Sequence, residues 1–376
     1  MSRFVPVAVA LLLAAPSPAA DKWWSADVEK QLAAARDNRG ELEKALLATP
    51  KEQQPGMEFL LKHMPERDLT TLKADYLTGN VTLAYKSRAA VPWGKDIPDA
   101  VFFNNVLPYA NLDETRDPWR KELTDLCLPM VKDCKTPAAA AELLNRELFP
   151  KLKVKYSTQR KAPNAGPKQT METGLASCTG LSILLSDACR SVCVPTRVVG
   201  TPLWANKRGN HTWLEIWDKD WHVTGACEPD PAGLDRGWFV GDAAQAKKDV
   251  PEHAIYAASF AKTETHFPLV WARNAKTVNA ENVTDRYAKP AAKTDTVRVL
   301  IRVIDASKKR VVADVTMTDG KKELTGKSKG ESADTNDFLT FDLKPDAEYT
   351  VTVSGVTKAF KTDAAGKTQT VQVELK

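Results

Sequence analysis

The sequence predicts an α+β protein in which a helical N-terminal region leads into a mixed core and then a small all-β end. Three observations carry this. Apolar residues recur at helical spacing from residue 22 to about residue 150. In the middle, a helix start at Cys178 is followed 33 residues later by a β-rich stretch that opens at His211. After Asp285 the chain changes to short alternating strands separated by turn residues.

A chain of 376 residues with 43% apolar content exceeds one small domain and suggests two or three. The expected organisation is a signal peptide over 1–20, a helical region over 21–150, a core over 151–285 and a β-sandwich over 295–376. The leader has Arg3, an apolar stretch from Val7 to Ala15, then Pro16-Ser17-Pro18-Ala19-Ala20 before Asp21. That stretch falls short of the ~20 residues a spanning helix needs, so the mature chain is expected to be secreted or periplasmic without a membrane span. The net charge of +5 becomes +4 without Arg3, the only charged side chain of the leader. With acids and lysines interspersed, this is a solubility feature and no nucleic-acid footprint.

Ser25 can cap a first helix that carries Val28, Leu32 and Ala35; a second runs through Leu42, Leu46 and Leu47, and a third through Met57, Leu60 and Leu61. Pro50, Pro55 and Pro65 punctuate them. Val101 to Tyr109 is apolar enough to be buried, and Asn105 to Asn111 is a candidate border of a cleft. Trp119 to Met130 reads as a helix, and so does Ala138 to Leu148, closed by Pro150. Lys151 to Met171, basic and without apolar periodicity, reads as an exposed loop. Val192 to Gly200 suits a central strand, and Ala243 to Phe260 reads as helical. The final strands are Val297–Ile304, Val311–Met317, Phe338–Leu343, Tyr349–Ser354 and Thr370–Leu375, with turns at Asp319-Gly320 and Ser354-Gly355.

The chemistry concentrates at Cys178 and His211. Small residues before Cys178 and the run Leu181, Ile183, Leu184, Leu185 after it place the thiol where a buried helix begins. A helix N-terminus favours the thiolate, which is the nucleophile. His211 begins a strand that turns at Asp218-Lys219-Asp220 and returns through Trp221 to Thr224, so the imidazole sits on a rigid hairpin. With Cys178 reserved, Cys127, Cys134, Cys189, Cys193 and Cys227 cannot all pair; Cys127 with Cys134 and Cys189 or Cys193 with Cys227 are the candidate bridges. Those last cysteines with His211 or His222 match none of the compact pairs that mark structural zinc, and no metal or cofactor is expected.

Thr173 to Asp230 resembles the transglutaminase-like superfamily, which includes transglutaminases, peptide N-glycanases and many bacterial thiol hydrolases. The matching elements are Ser177-Cys178-Thr179, Pro195-Thr196-Arg197-Val198-Val199-Gly200, His211-Thr212-Trp213-Leu214-Glu215-Ile216 and Trp221 to Pro229. The resemblance implies a papain-like core with a Cys-His-acid triad that attacks amides through an acyl-thioester. Lys344 to Val353 resembles the closing strands of carboxypeptidase-regulatory-like and fibronectin-type sandwiches, which implies an accessory domain.

The sequence departs from the family pattern at the third triad member. The family has Asp-Pro four residues after the tryptophan, where Gly225-Ala226 stand, and the acid-Pro pair follows as Glu228-Pro229. A two-residue turn at Lys219-Asp220 would set His211 opposite Glu228; a three-residue turn would set it opposite Cys227 unless a bulge intervened. Glu228 is the expected orienting acid and Asp230 the fallback. Trp213 and Trp204 are candidate substrate contacts, though most tryptophans near the site read as core, and a sugar platform is the sharper alternative. The expected activity is a thiol hydrolase acting on a peptide or protein, a glycoprotein included, with acyl transfer and glycopeptide N-glycanase action as alternatives. A catalytically inactive binding or scaffold protein on the same fold is the alternative of another class.

Overall fold

The computed structural model describes residues 22–288, 295–334 and 336–375, so the expected signal peptide lies outside the described residues. Among the described residues no helix is long and apolar enough to cross a membrane.

The N-terminal helices include Ala26–Ala34, Arg39–Ala48, Gln54–His63 and Ala74–Ala90. Each buries the residues its spacing selects, among them Val28, Leu32, Leu42, Leu46, Met57 and Leu60. Leu47 is the exception, 55% exposed, because the stripe through Leu42, Ala45 and Leu46 already faces inward. The helical region is not free-standing. A single hydrophobic cluster runs from Val28 through Leu144 and Leu184 to Ala280 and joins these helices to the core.

The core is built on the helix Cys178–Ser191 and a six-stranded sheet. Two short strands, β1 (Lys155–Tyr156) and β2 (Leu175–Ala176), pair in parallel and lead directly into that helix. The sheet contains β3 (Thr196–Thr201), β4 (His211–Asp218), β5 (Asp220–Thr224), β6 (Tyr256–Ser259), β7 (Thr265–His266) and β8 (Asn279–Asn282), in the order β5-β4-β3-β6-β8-β7. Its pairings are antiparallel. Buried Arg190 fastens the far end of the helix, donating to the carbonyls of Asn105, Ala110 and Thr196 at 2.9–3.1 Å. Asn111 packs there as well, donating to Asp187 at 2.8 Å, so Asn105 to Asn111 is interior structure and not a cleft border.

Three expected elements are corrected. The helix Pro137–Leu152 runs through Pro150, because the bond that proline cannot make falls in a last turn already capped by the left-handed Lys153. The expected loop from Lys151 to Met171 contains β1 and most of a helix, Pro167–Thr173, with Ala165 and Thr170 buried. From Ala243 to Phe260 helix is confined to the end of a short helix, Val240–Ala243, and a single 3-10 turn, Pro251–His253, and Tyr256–Ser259 becomes strand β6 because its backbone pairs with both β3 and β8. All six cysteines are free, so neither candidate bridge forms.

The C-terminal strands are β9 (Val297–Ile304), β10 (Asp314–Thr318), β11 (Glu323–Lys327), β12 (Leu339–Leu343), β13 (Glu348–Val353), β14 (Val356–Lys361) and β15 (Thr368–Glu374). They form two sheets, β11-β10-β13-β14 and β12-β9-β15, around a hydrophobic core of their own. The expected turn at Ser354-Gly355 joins β13 to β14 with both residues at positive φ.

Candidate active site

Cys178 is the first residue of its helix, and Ser177 caps that helix by accepting the Gly180 N–H at 3.1 Å. The Cys178 N–H, at the start of the helix, has no partner within it and is available to an anion. His211 is the first residue of β4. Helix and strand are tied side by side: the hydroxyls of Thr179 and Thr212 lie 3.0 Å apart, and Ser182 donates to the Thr212 carbonyl at 3.3 Å. Cys178, His211 and Glu228 line one cavity of about 820 Å³, together with Tyr156 and Trp238.

The imidazole sits in an aromatic box. Its ring centroid is 4.6 Å from Trp238, 5.0 Å from Phe239 and 5.8 Å from Trp213. Burial in this box pushes His211 down to about 3, so it is a neutral base. Burial likewise pushes the Cys178 thiol up to about 11, with the Asp334 carboxylate adding to the rise. This direction runs against the thiolate that a helix terminus favours. The pair is a thiol and a neutral imidazole.

The hairpin turns with Lys219 alone at its tip, at φ +66°, so Asp218 faces Asp220 and Leu214 faces Thr224. The expected two-residue turn is therefore corrected by one position, and β5 ends at Thr224 before it reaches His211. Glu228 enters the cavity another way. Gly225 to Glu228 is a tight turn closed by an isolated bridge, with Cys227 at φ +65°, and it folds the glutamate back over Gly225. Trp238 Nε1 donates to Glu228 Oε2 at 3.0 Å. Burial of this carboxyl raises it to about 7, although the residue as a whole stays open to the cleft and solvent moderates the shift. No hydrogen bond joins Glu228 to His211 among the described residues, and His211 Nε2 is buried without a partner.

Asp230 does not reach the cavity: the turn sends it outward, where its side chain accepts the Ala232 N–H at 2.8 Å. Trp213 and Trp204 are fully buried beside His211 and do not line the cavity. They pack the imidazole, and Trp238 is the tryptophan that walls the cleft. Trp213 is held by Tyr287, which it donates to at 2.9 Å and which donates in turn to Glu215 at 2.8 Å. Glu215 also pairs with Arg197 at 2.6 Å, which assigns it a structural part.

Sequence reasoning missed Tyr156. It pairs opposite Ala176, two residues before Cys178, and lines the cavity, with its hydroxyl donating to the Asp334 carboxylate. The signal was Val154-Lys155-Tyr156, a short β-forming run hidden in a basic stretch. No cluster of three or more His, Cys, Asp or Glu that would hold a metal occurs among the described residues.

Residues 124–243 match the profile of the Transglutaminase-like superfamily. This span holds Cys178, His211 and Glu228, and it forms a transglutaminase-like core with β-sheets C-terminal to it. Among solved structures the chain is similar to red sea bream transglutaminase, at 10% identity and TM-score 0.34 over 73% of this chain and 66% of that one. It is also similar to a candidate cysteine protease from Cytophaga hutchinsonii, at 15% identity and TM-score 0.26 over 31% of this chain. The match spans 40% of the Cytophaga protein's length. Among curated proteins none matches the chain at a significant level.

Proposed function

We propose that this protein is an exported thiol hydrolase that attacks peptide or protein amides. The observation that carries the reading is a thiol at the first turn of a helix and an imidazole at the start of a strand, tied through Thr179 and Thr212 and opening on one cavity. His211 takes the Cys178 proton as the sulfur forms its bond to the carbonyl carbon, and the oxygen becomes an oxyanion. The Cys178 backbone N–H is a donor to it. Collapse breaks the C–N bond, the departing amine takes the proton from His211, and an acyl-thioester remains. Water then adds to the thioester, releasing the acid and restoring the thiol. Glu228 is the orienting acid, acting through Trp238, whose indole it accepts from and whose ring lies against the imidazole. An amine in place of water would give acyl transfer, and a glycosylated asparagine in place of a peptide bond would give N-glycanase action.

The test is the alkylation of Cys178 by iodoacetamide, located by peptide mass spectrometry, in wild type and His211→Ala. Alkylation that slows on the order of tenfold in the variant establishes an assisted pair. Equal rates in both would leave a binding protein on this fold.

A further inference from the structure

Arg208 lines the same cavity as Cys178 and His211 and takes no part in the chemistry proposed for them. It lies in the loop between β3 and β4, three residues before His211. The loop is closed on itself: the Trp204 N–H donates to the Gly209 carbonyl and the Lys207 N–H to the Trp204 carbonyl, both at 2.7 Å. The guanidinium has two further supports. Its Nη2 donates at 2.5 Å to the buried Asp242, a carboxylate to which Asn206 also donates at 2.9 Å, and its carbon lies 4.8 Å from the centroid of the Trp238 ring. The side chain is only 5% exposed, yet Nε is buried with no hydrogen-bond partner among the described residues.

We propose that Arg208 is a substrate-binding residue that takes a carboxylate of the peptide whose amide meets Cys178, either a free C-terminus or an acidic side chain. This role rests on the thiol-hydrolase reading and adds its substrate class. A guanidinium carries N–H donors in a fixed fork that matches a carboxylate, and Asp242 engages only one of the Arg208 nitrogens. A donor withdrawn from water and left unpaired is costly until a ligand meets it. Asp242 is not on the cavity wall, so it holds the arginine in place without filling the cleft. The acids that do stand on that wall have partners of their own. Asp334 takes the Tyr156 hydroxyl and the Asn336 N–H, Asp342 lies 3.5 Å from Arg298, and Asp337 lies 3.8 Å from Lys329. Arg208 and His211 both lie against the ring of Trp238, so the gap between them is no more than about three residues of extended peptide, at ~3.5 Å each. A carboxylate held at Arg208 is thus close in the chain to the amide that reacts.

The experiment measures how well short peptides protect Cys178 of the full chain from iodoacetamide at one fixed pH. One pair of probes is acetylated trialanine as the free acid and as the amide. The other is an acetylated and amidated tripeptide with glutamate or glutamine at its centre. In wild type the acidic member of one pair should half-protect at a concentration lower by on the order of tenfold, the size of one charge-assisted hydrogen bond, and Arg208→Gln should abolish the difference. Preference within the first pair identifies a C-terminal carboxylate, and preference within the second an acidic side chain. Arg208→Gln leaves Asp242 buried without its cation, so Arg208→Gln/Asp242→Asn, which removes both charges, serves if the single variant does not fold. No difference within either pair, or a difference that survives loss of the arginine, would overturn the proposal. His211→Ala, alkylated alongside, separates the two ideas. A peptide preference with no slowing in His211→Ala sinks the thiol-hydrolase reading and leaves a carboxylate-binding cleft, whereas slowing without a preference sinks only the role of Arg208.

Discussion

The carboxylate of Glu228 fills the space of a side chain that Gly225 lacks. A Cβ on Gly225 would stand 2.5 Å from Glu228 Oε2 and 3.2 Å from Glu228 Cβ. Gly225 is the position, four residues after Trp221, where the family pattern has its aspartate. The turn through Ala226 and Cys227 brings the Glu228 carboxylate back against that glycine. Gly225→Ala should therefore displace Glu228 from Trp238. The obstructed atoms belong mostly to a flexible side chain, so stability should change by no more than about 1 kcal/mol by urea unfolding. Cys178 alkylation should lose its dependence on Glu228, with Gly225→Ala and Gly225→Ala/Glu228→Gln giving the same rate.

The raised Glu228 carboxyl gives a pH signature with a definite sign. Its ordinary value is 4.5 and its folded value about 7, so the folded state holds the proton more tightly. The stabilisation is fully present below pH 4.5, declines as pH rises, and is gone above about 7. Urea unfolding at pH 5 and pH 8 should show wild type losing more stability between the two than Glu228→Gln. An equal loss in both proteins would mean the carboxyl titrates normally.

Much of this arrangement was legible in the sequence where a single physical pattern dominates. The helical stripe at Leu42 and Leu46, the start at Cys178, the strand from Val297 to Ile304 and the Ser354-Gly355 turn all follow from local spacing. Edge strands were harder. β11 and β14 bury almost nothing, so no apolar alternation marks them, and β6 is a strand only because β3 and β8 pair with it. At the site, Cys178 and His211 were readable from flanking residues, and Glu228 was reached from a hairpin register that the structure corrects by one residue. Asp334 was out of reach, because it meets Tyr156 across 178 residues and nothing local ties the two.

The cap at the head of the helix that begins at Cys178 has a stability consequence of its own. Ser177 accepts the Gly180 N–H and donates to the Pro163 carbonyl, joining the helix start to the segment before it. Ser177→Ala should cost about 1 kcal/mol, within the range for a lost N-cap, and Ser177→Asp should recover part of it by accepting the same N–H. Urea midpoints at constant slope measure both. No loss in the alanine variant would show that other groups satisfy Gly180.

The support beneath His211 depends on a buried charge pair. Arg197 and Glu215 face each other across β3 and β4 at 2.6 Å, with side chains 8% and 1% exposed. Arg286 lies 3.5 Å from the same glutamate, and Tyr287 links it to Trp213, whose ring stacks on the imidazole. Arg197→Met leaves Glu215 with the more distant, partly exposed Arg286 as its remaining cation, so the loss should reach about 3 kcal/mol, the lower end for breaking a buried pair. Arg197→Met/Glu215→Gln should recover part of that, because the second change removes the stranded charge. Urea unfolding of the four proteins in the cycle reads the coupling. If the double variant is no more stable than Arg197→Met, the cost comes from lost packing of the arginine against Trp221, 4.2 Å from its guanidinium, and not from the unpaired carboxylate.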